Sequence, residues 1–309
     1  MDELPERVLA AVGGTDVVGR LASLSGSDFT SLMLAVVRRR AAHETPASLL
    51  RRYRSDRFVQ PAGTWQLLRA AEDRMAAHLP PGTELVTLPP LAPLGTHAVL
   101  GPLSQDKVVA TMRATEVAAD PTNALALEAA VRRRSGDIRS TVRLAAFQRV
   151  VRAPRPLPGF LPHFSLLGLV TAGRDHGGHR FEREAVAEHV RAIAAGLAAA
   201  GLGPAQLACT PLSEAGETLA AALPAALAVT PLDIVTDRQR QSGRGYYRDL
   251  CFKLNVRAGR AWAEVGDGGF TDWTARLTAS AKERLLISGV GIDRVAAITP
   301  NTTTQEGTG

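Results

Sequence analysis

Apolar positions recur at helical spacing in the first eighty residues and in strand-like runs through much of the rest. Phe29, Leu32, Val36 and Val37, behind a polar start at residues 25–28, predict a helix, and residues 64–75 predict another. Pro80-Pro81-Gly82 breaks that pattern, and Pro89, Pro90 and Pro93 keep the next stretch extended. Asp120-Pro121 opens a third helix, with Leu125, Leu127 and Ala130 inward and three arginines near its end. Residues 141–153 and 164–172 read as two strands joined by a proline-rich connection, which predicts an antiparallel hairpin. Val186, Val190, Ile193 and Leu197 mark one face of a helix ending at Gly201. Further strands are predicted at 206–212, 226–234, 246–256, 261–265 and 285–290.

So many strands and so few helices imply an α+β fold with a mainly antiparallel sheet flanked by helices. The pattern divides the chain into a helical N-terminal segment (1–80), a core (81–298) and a polar tail (299–309) expected to be disordered.

Composition adds few constraints. A chain of 309 residues, 45% hydrophobic and 21% charged, is that of a globular protein. The formal charge of +6 invites a nucleic-acid reading, but almost all of the basic residues are arginine, beside abundant alanine, which points to codon bias. Arg38-Arg39-Arg40, Arg51-Arg52 and Arg132-Arg133-Arg134 are the clusters able to touch phosphates, and a solvated helix face explains each as well. Cys209 and Cys251 lie in apolar runs without metal-ligand spacing, so no tightly bound metal is expected. The acidic start does not resemble a signal peptide and no run spans a bilayer, which reads as a cytoplasmic protein with no membrane partner.

The candidate chemistry lies late in the chain. Gly289-Val290-Gly291-Ile292-Asp293-Arg294 follows the apolar run Leu285-Leu286-Ile287-Ser288. A strand, a glycine turn and an arginine on a new helix set one fixed positive charge where a phosphate can approach the backbone. Tyr246 and Tyr247, read as neighbours on one strand, are expected to face opposite sides. His163 is either a ligand contact or a satisfied loop histidine. Arg113 and Glu116 have the spacing of an ion pair on one helix face.

In order and separation, four blocks within residues 83–298 resemble the catalytic core of a class II aminoacyl-tRNA synthetase. The likeness is nearest to histidyl-tRNA synthetase and to the regulatory subunit of ATP phosphoribosyltransferase. Val151-Arg152-Ala153-Pro154-Arg155-Pro156 through Gly159 and Phe164 resembles the family's second motif. Gly243-Arg244-Gly245-Tyr246-Tyr247 resembles its histidine-recognition segment, Asp267-Gly268-Gly269-Phe270-Thr271-Asp272-Trp273 the glycine-rich turn before the third motif, and residues 289–294 the third motif, GxGxxR.

The resemblance implies an ATP and Mg2+ site. Arg152 would hold the α-phosphate, and Gly289, Gly291 and Arg294 the outer phosphates, with Arg152 and Arg294 as the catalytic charges. Glu128 would receive an amino acid's ammonium, and Arg244, Tyr246, Tyr247 and His163 would line the substrate end. It also implies a homodimer formed around residues 84–110.

Departures accompany these matches. Pro154 stands where the family has a glutamate that contacts adenine, Phe160 near a basic position, and Ser242 where an arginine is expected. The chain stops after the third motif, leaving no room for an anticodon-binding domain, so tRNA is not the expected acceptor. Two readings follow. One is an enzyme that activates an amino acid as its adenylate for a non-tRNA acceptor such as a carrier or partner protein; the other is a non-catalytic regulatory or binding paralogue. An RNA-binding module is a third, resting on the arginine clusters alone.

Overall fold

The computed structural model describes residues 4–14, 16–101, 103–137, 139–153 and 161–299. Five helices come first: α1 (Glu6–Val12), α2 (Asp16–Ala22), α3 (Gly26–Ala41), α4 (Pro46–Ser55) and α5 (Trp65–Ala76). Ser25 caps α3 by accepting from the Asp28 amide, as the polar start predicts, and Thr45 and Ser48 form a capping box on α4. Short elements follow: β1 (Glu84–Leu85), β2 (Leu91–Pro93), α6 (Thr96–Leu100) and β3 (Thr115–Val117). Then come α7 (Pro121–Ser135), β4 (Val142–Val151), β5 (His163–Arg174), α8 (Arg180–Ala199), β6 (Ala205–Pro211), α9 (Glu214–Ala226) and β7 (Leu232–Thr236). The chain continues through β8 (Arg248–Ala258), β9 (Ala261–Thr271), α10 (Trp273–Thr278), β10 (Glu283–Gly291) and α11 (Ile292–Ile298).

Eight strands make one sheet in the order β1-β4-β5-β10-β9-β8-β6-β7. Its outer pairs, β1 with β4 and β6 with β7, are parallel, and the five inner pairings are antiparallel. The expected hairpin is present as β4 and β5, paired from Val142↔Ala172 to Val151↔His163. Its tip, with Pro154 and Phe160, lies outside the described residues, as does the tail beyond Thr299.

Alternation along the strands splits the core in two. One face buries Leu169, Phe252, Leu254, Leu286 and Val290 against α5, α8, α9 and α11. The other buries Leu144, Val170, Leu285 and Ile287 against Leu125 and Ala129 of α7 and Trp273 of α10. α5 thus joins the core through Ala71 and Met75, whereas α1 to α4 bury no residue.

Three expectations change on folding. Residues 226–231 end α9 and turn, so the strand begins only at Leu232. Asp267-Gly268-Gly269 is no turn but the middle of β9, because a side chain at either glycine would collide with its neighbours: a Cβ at Gly268 would lie 2.6 Å from Phe252, and one at Gly269 2.6 Å from Tyr247. Arg113 and Glu116 share no helix, since Ala114 turns with φ 52° and Glu116 enters β3 fully buried.

The arginine cluster at 132–134 is largely structural: Arg132 pairs with Glu84 and Glu128, and Arg133 is buried against Glu283. Cys209 and Cys251 are free buried thiols, and burial raises the pKa of both.

His189 of α8 is enclosed between Thr171 Oγ1 at 2.9 Å and Ser288 Oγ at 2.8 Å, tying the helix to β5 and β10. Burial, helped by the charge of Arg143, depresses its pKa to about 3. The native state therefore resists the proton that the unfolded chain accepts near pH 6.5, so stability falls as pH drops from about 6.5 towards 3. At pH 5 the expected loss is about 2 kcal/mol. Urea titrations across this range should show that slope, and His189→Gln should flatten it.

Candidate functional site

The sheet face turned towards α7 and α10 carries most of the candidate chemistry. Along one row, Ala146, Gly168, Gly289, Asp267 and Lys253 lie side by side on β4, β5, β10, β9 and β8. At Gly168 the face is covered, since a Cβ there would lie 2.8 Å from Pro121 at the start of α7. At Gly289 it is open: among the described residues, a Cβ would meet nothing within 4 Å. A gap over the centre of an eight-stranded sheet, where large apolar side chains usually pack, is a ready floor for a ligand.

One wall of this face is the end of β4 with the cap of α7. Asp120 caps the helix by accepting from the Thr122 amide at 2.9 Å and the Thr122 hydroxyl at 2.8 Å. Its other oxygen takes Arg152 Nη2 at 3.1 Å, while Arg152 Nε donates to the Ala119 carbonyl at 3.0 Å. The guanidinium lies 5.2 Å from the centre of the Phe164 ring, a cation–π contact that also aligns a flat surface beside the charge.

A buried relay fixes this wall from behind. Glu116 accepts from the amides of Gly95 and His97 and from Gln105, and takes His97 Nδ1 at 2.6 Å. His97 Nε2 accepts from the Ala119 amide at 3.0 Å, the same residue whose carbonyl holds Arg152. Burial pushes the Glu116 carboxyl up, but the hydrogen bonds from His97, Gln105 and Gly95 outweigh it and hold the pKa at about 2. His97→Leu is expected to leave the Ala119 amide without its acceptor and to take one of four donors from Glu116, costing about 1–3 kcal/mol of stability, measurable by urea denaturation.

The opposite wall is aromatic and acidic. β8 begins only at Arg248, so Tyr246 and Tyr247 precede it and both turn towards the α7 side, their ring centroids 4.3 Å apart. Tyr246 stacks on Trp273 at 6.0 Å. The expectation of opposite faces fails because no strand pleat separates the two rings.

Beneath Tyr247 lies the buried Arg240, whose guanidinium reaches Asp267 at 2.8 Å and the carbonyls of Ser242 and Phe252 at 2.7 and 2.8 Å. Tyr247 also donates to Asp267, at 3.3 Å. Asp267 remains 36% exposed on the open face. Burial raises its pKa against the pull of Arg240, and the charge of Asp120 adds to the rise. The charge of Asp120 thus reaches Asp267 across the face, and Tyr246 lies within reach of both.

Several expected residues occupy other places. Glu128 is two turns along α7, bonded to Arg132 at 2.7 Å near the exposed β1 edge. His163 faces the opposite side of the sheet, accepting from Arg149 and donating Nε2–H to the Gln60 carbonyl at 2.7 Å, so it ties the hairpin to the N-terminal segment. Arg244 is exposed in the turn before the tyrosines. Arg294 starts α11 after Gly291 and donates to the Glu264 carbonyl on β9, while Asp293 accepts from the Ser165 amide at 2.6 Å.

Asp120, Arg240 and Asp267 were missed as site residues. Asp120 reads in sequence as a helix cap and nothing more. Arg240 and Asp267 are 27 residues apart, with no local pattern to join them. Among the described residues, no group of three or more His, Cys, Asp or Glu is placed to hold a metal.

This arrangement of sheet, hairpin and flanking helices is a class II synthetase-like fold. No family model matches the chain, and no curated protein matches it. Solved structures do. An ATP phosphoribosyltransferase regulatory subunit/histidyl-tRNA synthetase from Bacillus halodurans superposes with TM-score 0.63 at 14% identity, over 77% of this chain and 80% of that one. The apo histidyl-tRNA synthetase of S. aureus gives 0.59 at 13%, over 76% of this chain and 65% of that one. Pyrrolysyl-tRNA synthetase from Desulfitobacterium hafniense gives 0.51 at 16%, over 81% and 73%. At such identities the likeness is one of fold.

Proposed function

We propose that the protein binds ATP with Mg2+ and an amino acid on the open sheet face, and activates the carboxylate as an adenylate for a non-tRNA acceptor. The uncovered floor at Gly289, between the Asp120–Arg152 pair and Asp267, carries this reading. A nucleotide fits the wall beside Phe164, where the ring offers a stacking surface and Arg152 a charge for the α-phosphate. An amino acid fits the other wall, its ammonium facing Asp267 or Asp120 in place of the remote Glu128. In activation, Arg152 would neutralise charge developing at the α-phosphorus as the carboxylate attacks and pyrophosphate leaves. Mg2+ would add charge on the phosphates, taking most of its ligands from them and from water.

A second reading, a non-catalytic regulatory or binding paralogue, is favoured by the engagement of Arg294 with the Glu264 carbonyl and of Arg152 with Ala119 and Asp120. Pyrophosphate exchange with each amino acid in turn separates the two. Exchange that is lost in Arg152→Ala supports the enzyme. Thermal stabilisation by ATP or an amino acid without exchange supports the binding protein, and neither response defeats both.

Leu85, Leu91, Leu94 and Val99, exposed around β1, β2 and α6, favour a homodimer through residues 84–110, to be measured by light scattering. A cytoplasmic location belongs to the same reading; among the described residues no helix is long and apolar enough to cross a membrane.

A further inference from the structure

α1 to α4 are helices of 7, 7, 16 and 10 residues with no buried position, and none of the principal packing contacts between elements involves them. Helices of seven to ten residues are marginal in water unless an apolar face is covered. Here those faces are open. Leu32, Val36 and Val37 on α3 are 39–42% exposed, and Leu49, Leu50 and Tyr53 on α4 are 46–56% exposed. The arm is tied to the core at two points, by Thr30 Oγ1 donating to the Met112 carbonyl at 2.8 Å and by the His163–Gln60 bond.

Charge identifies what would cover these faces. From 38 to 57 the chain has seven arginines against Glu44 and Asp56, and Glu44 is already paired with Arg52. An occupant must therefore be acidic. A second copy of this chain offers no acidic excess to match, because outside this stretch the sequence is near balance, with 29 basic and 28 acidic residues. A nucleic acid would meet the charge but leave the aliphatic side chains in water. Leucine, tyrosine and arginine interleaved on one short exposed helix are the composition of a protein interface.

We infer that α4 is a docking surface for an acidic protein segment that presents an amphipathic helix. Its leucine-like side chains would cover Leu49, Leu50 and Tyr53, which share one face of α4, and its carboxylates would meet Arg51, Arg52 and Arg54. The inference rests on the arm alone, independently of the ligand proposed for the sheet face.

The test uses the full chain and a fluorescent helical peptide of about 18 residues, five turns, with leucine at i, i+3, i+4 and i+7 and glutamate elsewhere. Fluorescence anisotropy should show saturable micromolar binding. About tenfold weakening is expected for a peptide of the same composition with the leucines scrambled, for Leu49→Ser/Leu50→Ser and for Arg51→Glu/Arg54→Glu. These positions are exposed, so circular dichroism and the melting temperature of the core should be unchanged.

Failure of the peptide to bind, or equal binding of the scrambled peptide, would overturn the inference. So would tighter binding of a single-stranded or hairpin RNA that ignores the leucine substitutions, or self-association by light scattering that Leu49→Ser/Leu50→Ser abolishes.

Discussion

Arg133→Ala is expected to cost about 3–5 kcal/mol of stability. Arg133 leaves α7 and meets Glu283, at the start of β10, through two bonds of 2.7 Å, with side chains 1% and 5% exposed. It also donates to the Ser140 carbonyl at the entrance to β4. Removing the guanidinium leaves the Glu283 carboxylate without its partner in a place water does not reach, and that uncompensated charge sets the size of the effect. Urea denaturation measures it directly. The double variant Arg133→Met/Glu283→Leu, which removes both charges and keeps the volume, should recover most of the loss. If Arg133→Ala alone costs less than about 1 kcal/mol, the pair is not buried in solution as it is in the structure.

Gly289→Val is expected to leave the fold intact and to weaken ligand binding by at least about tenfold. The side chain enters open space, at a strand position where valine is a better residue than glycine, so the melting temperature should hold or rise. The space it fills is the floor on which ATP or an amino acid would rest. Gly268→Ala, one residue pair across the sheet, supplies the contrast. Its Cβ would lie 2.6 Å from the Phe252 ring and from Ser288 Oγ, and 2.7 Å from the Ile287 carbonyl, so overpacking should cost about 1–3 kcal/mol. Calorimetric titration with ATP and amino acids, beside thermal melts of both variants, reads the two effects separately. Unchanged binding by Gly289→Val would remove the open floor from the proposed site.

The glycines show how far sequence reading reaches. Gly268 and Gly269 suggest a turn in sequence and Gly289 the end of a strand, and all three lie in strands, with two of them closed by packing and one left open among the described residues. Which of these holds depends on what the neighbouring strands and helices put above each Cα, and no local pattern contains that. The acidic residues behave alike. Glu116, Asp120 and Glu128 lie within thirteen residues, yet one is a buried hub, one faces Arg152 and one pairs on an exposed helix flank. The helix that begins at Pro121 rotates Glu128 away, and the β2–β3 pairing turns Glu116 inward.

The sequence alone determined the helices at 26–41, 65–76, 121–135 and 180–199, the β4–β5 hairpin, and the order of blocks that marks a class II synthetase-like core. Those features depend on periodicity, capping and turn chemistry, which act between residues a few positions apart. Tertiary structure decided that the paired tyrosines lie on one side, that Arg240 rather than Arg244 lies beneath them, that Glu128 pairs with Arg132 away from the open face while Asp120 lies on it, and that the sheet is open at Gly289. Each depends on groups brought together across the sheet or from separate elements, where burial and charge pairing, not local propensity, select the partner.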